Sequence, residues 1–201
     1  MSKFDRDMKG NLHSKYNSHQ TIPATSVRYL EFDTALPSSP IDGEEFVYEA
    51  EEGVVWKFRY NAGSASVYKW EFVGGAALYD SVETDEATSG TVFQDLATVG
   101  PILTIPFAGD YTVGIGSLQY MSSNTGTRYI RMGIMVNATE ALDSFSAGSG
   151  HTTTDMKFSA SRFGDKTYAA GDVLKARYKD VTADVARFDQ RWMTVIPKRI
   201  G

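Results

Sequence analysis

Across most of this chain the apolar residues recur at every second position, and that period decides the fold class. In Val54-Val-Trp-Lys-Phe-Arg-Tyr60, one face carries Val54, Trp56, Phe58 and Tyr60, and the other carries Val55, Lys57 and Arg59. Successive side chains of an extended strand point to opposite faces, so this is the pattern of a half-buried strand. The turn cluster Asn61-Ala-Gly-Ser64 follows, and Tyr68, Trp70 and Phe72 then alternate again, which predicts a hairpin. The same period runs through Leu103, Ile105 and Phe107, then Tyr111, Val113 and Ile115, then Ile130, Met132, Ile134 and Val136. Met156 and Phe158 form a shorter stripe, Leu174, Ala176 and Tyr178 another, and Arg191-Trp-Met-Thr-Val-Ile-Pro197 a last strand. Helical spacing is confined to a turn or two expected over Thr182–Gln190. Many short strands between Gly, Asp, Ser and Asn turns predict an all-β, antiparallel β-sandwich or jelly roll.

The 201 residues suit one such domain preceded by a short tail. Residues 1–22 are polar and charged with no apolar stripe, so residues 1–30 are expected to be a polar docking tail without structure of its own, and residues 31–201 the sandwich. Within the tail, Lys3, Phe4, Arg6 and Tyr16 are the residues expected to dock on a larger assembly. The start, Met1-Ser-Lys-Phe-Asp-Arg-Asp7, lacks the apolar core of an export signal, and no window approaches the ~18 apolar residues of a spanning helix. The expectation is a protein made in a cytoplasm and not inserted in a membrane. Zero cysteines rule out disulfides and thiolate-held metals, and a net charge of −5 with no Lys/Arg cluster disfavours nucleic acid as a partner.

The sequence offers little catalytic chemistry. His151 lies in Gly148-Ser-Gly-His-Thr152, a polar stretch without the strand-turn-helix elbow of a nucleophilic serine. Glu83, Asp85 and Glu86 are the nearest approach to a hard-cation site, but the calcium-loop pattern is missing. Gly114-Ile-Gly116 lacks the third glycine and following helix of a dinucleotide fingerprint, and reads as small residues that let a strand pack closely. No catalytic, cofactor or metal-binding residue is therefore assigned, and the chain is read as a non-enzyme. Binding is expected instead in two turn-rich stretches, Ser81–Thr91 and Asn137–Thr154, with Asp85, Glu86, Ser146, Ser149 and His151 as candidate contact residues. Tyr29, Tyr79, Tyr120 and Tyr129 are candidates for stacking on sugars, although aromatics at strand spacing more often serve core or subunit interface.

Three segments resemble, in order and spacing, a module of tailed-bacteriophage virion proteins: minor tail, tail-fibre and baseplate proteins, especially of actinobacterial phages. The first is Leu36-Pro-Ser-Ser-Pro-Ile-Asp-Gly-Glu-Glu-Phe-Val-Tyr48 with Gly53-Val-Val-Trp-Lys-Phe-Arg-Tyr60 and Tyr68-Lys-Trp-Glu-Phe-Val-Gly-Gly75. The second is Asp95-Leu-Ala-Thr-Val-Gly-Pro101 with Leu103-Thr-Ile-Pro-Phe-Ala-Gly-Asp-Tyr111. The third is Ala170-Gly-Asp-Val-Leu-Lys-Ala-Arg-Tyr178 with Arg191-Trp-Met-Thr-Val-Ile-Pro197. The resemblance covers about residues 33–201. It implies a non-enzymatic structural component of the virion, assembled in the bacterial cytoplasm as a tail, baseplate or fibre-knob module. It further implies a C-terminal jelly roll of the tumour-necrosis-factor type, a homotrimer and contacts with other virion proteins; contact with a host-surface glycan, through the 81–91 or 137–154 stretches, is what a tail or baseplate position predicts. A capsid-decoration, collar or head-fibre protein is the alternative, and a polysaccharide depolymerase a more distant one.

Overall fold

The computed structural model describes residues 4–6, 12–14, 32–33, 35–121, 128–139, 146–151, 157–181 and 185–201, and every described element is a strand. Two compact units divide the chain at Phe32/Asp33. In the first, β1 (Phe4–Arg6) pairs antiparallel with β2 (Leu12–Ser14). Phe4 and Arg6 of the expected unstructured tail thus lie in a strand pair, while Lys3 and Tyr16 lie outside the described residues. A lone pair needs only backbone hydrogen bonds, which composition does not register.

The second unit begins with an antiparallel meander of β3 (Glu45–Glu51), β4 (Val54–Tyr60) and β5 (Trp70–Gly75), followed by β6 (Leu78–Val82) and β7 (Glu86–Thr88). Then come β8 (Ile102–Thr104), β9 (Gly109–Met121), β10 (Arg128–Val136), β11 (Ser146–His151), β12 (Phe158–Tyr168), β13 (Val173–Asp180) and β14 (Ala186–Ile200). The small sheet has the order β11-β10-β13-β8, and the large one runs β12-β9-β14, with β7, β6 and β5 set along the other side of β14 and β4 and β3 beyond. From β8 onward the chain changes sheet at every connection except the β10–β11 hairpin. That winding is a jelly roll, an antiparallel β-sandwich.

The alternating stripes meet between the sheets. Tyr111, Val113 and Ile115 of β9 with Met193 and Val195 of β14 form one core cluster with Ile130, Met132 and Ile134 of β10 and Leu174, Ala176 and Tyr178 of β13, all buried. Phe46, Trp56, Phe58 and Trp70 of the meander continue the same cluster, and Trp56 lies 6.4 Å from Tyr111. At Gly109 β9 and β14 approach closely, since a Cβ there would sit 2.2 Å from the Arg199 carbonyl oxygen.

Three elements differ from the expectations. Thr182–Gln190 was expected to be helical, but Ala186 onward is strand. A bulge between Asp189 and Trp192, with Gln190 at φ 46°, adds one residue to β14 and moves the buried positions from Ala186 and Phe188 to Arg191, Met193 and Val195. That break in parity imitates helical spacing. The Met156/Phe158 stripe gives way to an eleven-residue strand, β12, in which Phe158 is exposed and Ala160 and Tyr168 are buried, while Met156 lies outside the described residues. The turn-rich stretch 137–154 contains β11, paired in register with β10 from Arg128↔His151 to Gly133↔Ser146.

Candidate functional site

The most distinctive surface is the face of the large sheet turned away from the core. By register, one row across it runs Phe163 (β12), Gly114 (β9), Thr194 (β14), Tyr79 (β6), and the next runs Ser161, Gly116, Trp192, Ser81. Ile196, opposite Thr112, continues the apolar centre. Glycine is required at both floor positions. A Cβ on Gly114 would lie 2.4 Å from the Phe163 ring and 2.8 Å from Thr194 Cγ2, and one on Gly116 would lie 2.5 Å from the Trp192 indole. The rings therefore lie down across β9, covering its bare backbone. They sit 5.7 Å apart at 41°. Phe163 is nevertheless 60% exposed and Tyr79 57%.

Polar ladders border this centre at both ends. At one, Lys198 Nζ donates to Asp165 at 2.5 Å and Thr112 Oγ1 donates to the same carboxylate at 2.8 Å. Those hydrogen bonds hold the Asp165 carboxyl below its ordinary value. Beyond it, Thr167 donates to Asp110 at 2.7 Å, with Arg199 3.7 Å from that carboxylate. At the other end, Arg187 donates to Asp85 through Nε (3.2 Å) and Nη2 (3.0 Å) and to the Tyr120 hydroxyl at 2.7 Å, while Tyr120 donates to Asp85. Lys157 pairs with Asp189 at 3.1 Å and lies 4.9 Å from the Tyr120 ring centre.

Burial pushes the Asp85 carboxyl upward, but hydrogen bonds from Arg187 and Tyr120 outweigh it and hold the group below 3.8. The pairing therefore contributes stability above pH 3.8, and that contribution fades as pH falls through the lowered value. Asp85→Asn is expected to be less stable than wild type at neutral pH and to lose less stability on acidification. Parallel thermal melts between neutrality and acid check this, and equal acid sensitivity of the two proteins would contradict it.

The sequence-derived contact residues stand elsewhere or are engaged. Asp85 lies in the short link between β6 and β7, and Glu86 opens β7, which pairs with β14. Asp85 is held as above. Glu86 accepts from buried Arg191 at 3.0 Å and from the Thr98 amide and hydroxyl at 2.9 and 2.8 Å. Arg191 also donates to the Thr98 and Thr84 carbonyls and lies 5.2 Å from the Tyr178 ring centre, so it ties the 83–101 stretch to β14. Ser146, Ser149 and His151 lie on β11 at the border of the small sheet. Of the tyrosines considered for stacking, Tyr79 is on the aromatic face, Tyr120 in its polar border, Tyr129 exposed on β10, and Tyr29 outside the described residues.

Phe163 and Trp192 were not singled out from the sequence. Their signal is the Gly114-Ile-Gly116 alternation, which leaves one face of β9 without side chains and invites rings from both neighbours. Among the described residues, no group of three His, Asp or Glu side chains is placed to hold a metal ion.

No family model matches the chain, and no curated protein matches it. Among solved structures, it is similar to the Eiger TNF of S. frugiperda, with 13% identity and TM-score 0.43, over 62% of this chain and 94% of that one. The globular domain of zebrafish complement 1qA is similar over 62% of this chain and 98% of its own, with 12% identity and TM-score 0.40. CBM35 from Cellvibrio japonicus Abf62 is similar over 63% of this chain and 100% of its own, with 16% identity and TM-score 0.34. At these identities the likeness concerns the sandwich alone; the chain is an all-β jelly roll whose exposed aromatic face is its leading candidate for function.

Proposed function

We propose that this protein is a non-enzymatic structural module of a tailed-phage particle, in a tail, baseplate or fibre-knob position, that attaches to the host envelope through the outer face of its large sheet. The carrying observation is the Phe163/Trp192/Tyr79 centre on the outer face of the sheet, with Phe163 and Tyr79 exposed and Trp192 half-buried, bordered by charges that neutralise one another. A contiguous exposed apolar patch with a polar rim is how a contact surface is built. The ordered resemblance of residues 33–201 to virion modules supplies the setting. Self-association as a homotrimer belongs to the same proposal.

Asp85 itself is not suited to be the proton-donating carboxyl of a cleaving pair, since the hydrogen bonds from Arg187 and Tyr120 lower its pKa. The test is the composition of particles purified from infected cells. Quantitative mass spectrometry is expected to find this chain at a fixed ratio to the tail proteins, and its absence from particles overturns the reading. A ratio fixed to the capsid protein instead identifies a decoration protein and overturns the tail position.

A further inference from the structure

We infer that the Phe163/Trp192 platform is a binding site for a neutral pyranose ring. The inference deepens the attachment reading by naming the chemistry of the group bound.

The shape and size of the site select the ligand. A protein partner of ordinary size covers ~800 Å² on each side, some 20–30 residues. The apolar centre here is Phe163, Trp192, Thr194, Tyr79 and Ile196, bounded along the sheet by the ion-paired ladders at Asp165 and Asp85. Strand addition beside it is opposed as well. β12 closes the large sheet, and its Arg162 and Lys166 stand opposite core residues Ile115 and Tyr111, so they are inward-pointing charges of the kind that block edge pairing.

What remains is a small surface built on two tilted rings with hydrogen-bonding groups beside it. A pyranose matches both features. One side of the sugar is a plane of axial C–H groups that lies on an aromatic face, and its perimeter hydroxyls both donate and accept. The perimeter partners are already next to Phe163. Asp165, whose side chain is 61% exposed, is an acceptor; Lys198, 41% exposed, is a donor. Asp165 stands one row along the sheet from Phe163, and Lys198 reaches it from beyond Ile196, with the Ser161 and Ser81 hydroxyls one row the other way from Phe163 and Thr194. An apolar lining with a few placed polar groups is the usual composition of a small-molecule site. The platform is also preorganised, because the glycine floor and the 5.7 Å contact hold the two rings down before any ligand arrives.

The experiment is saturation-transfer NMR on the full chain with the methyl glycosides of glucose, galactose, mannose, rhamnose and N-acetylglucosamine at millimolar concentration. Transfer is expected to the axial protons of at least one. Phe163→Leu keeps an apolar cover over Gly114 and removes the ring face; it is expected to weaken binding about tenfold, the scale of one aromatic stacking contact. Phe163→Tyr is expected to retain binding, and matching melting curves exclude misfolding. No transfer to any of the five glycosides, or equal transfer in Phe163→Leu, overturns the inference. Binding of labelled protein to actinobacterial host cells, run with the same variants, separates it from the attachment reading. Cell binding that needs Phe163 without any sugar signal sinks only the sugar chemistry. A sugar signal without Phe163-dependent cell binding sinks only the attachment reading.

Discussion

Replacing Glu86 with alanine is expected to cost about 3–5 kcal/mol of stability, because it strands a buried guanidinium. Arg191 is fully buried, and among the described residues Glu86 is its one carboxylate partner, at 3.0 Å, and Nε has no acceptor. The remaining contacts, two carbonyls at 3.3 Å and the Tyr178 ring, do not neutralise the charge. The loss is large beside the ~5–15 kcal/mol that holds a typical domain together. The double variant Glu86→Leu, Arg191→Met is expected to recover most of it, since an apolar pair of similar volume avoids the desolvation of both charges. Urea unfolding of the wild type, both singles and the double closes the cycle. A cost below about 1 kcal/mol for Glu86→Ala would mean that Arg191 is solvated and that the 83–101 stretch is not tied to β14 as described.

The second large effect is expected at Trp56. Its ring is fully buried among Tyr48, Phe58 and Tyr111, and its Nε1 donates to the Ala76 carbonyl at 2.7 Å. Trp56→Ala removes the largest side chain at the junction of meander and sandwich, and is expected to cost about 3–5 kcal/mol, as for other large aromatic deletions. The loss is expected to fall first on β3–β5, because β5 joins β14 through only two registered pairs, Arg199↔Glu71 and Ile200↔Trp70. Hydrogen exchange on the variant checks this. Faster exchange in residues 45–75 with β9 and β10 unchanged is the expected pattern, and uniform acceleration would show that meander and sandwich unfold as one unit.

The two substitutions also mark what the sequence made legible. Trp56 could be placed from the residues alone, because a stripe of period 2 on a half-buried strand is a local pattern. The same is true of Ile130, Met132 and Ile134, and of Leu174, Ala176 and Tyr178. Where a strand lacks such a stripe, the reading failed. β12 carries Arg162 and Lys166 on the side facing inward, β11 is Ser- and Gly-rich, and the parity of β14 is reset by its bulge. Glu86 was read as a contact residue of a turn-rich stretch because its partner lies 105 residues away in the chain. The aromatic face was hidden for a similar reason: Phe163, Gly114, Thr194 and Tyr79 become one row only when four strands come into register. Two alternate glycines in a strand were the visible trace of that row, and they were read only as close packing.

The attachment reading rests on which surface meets the envelope, and hydroxyl-radical footprinting of the protein, free and bound to host envelope fragments, measures that directly. Oxidation of Phe163, Trp192 and Tyr79 is expected to fall on binding, with Tyr129, on β10 of the opposite sheet, oxidised as before. Unchanged oxidation of those three residues with protection elsewhere, or a protein that binds no envelope fragment at all, would contradict it.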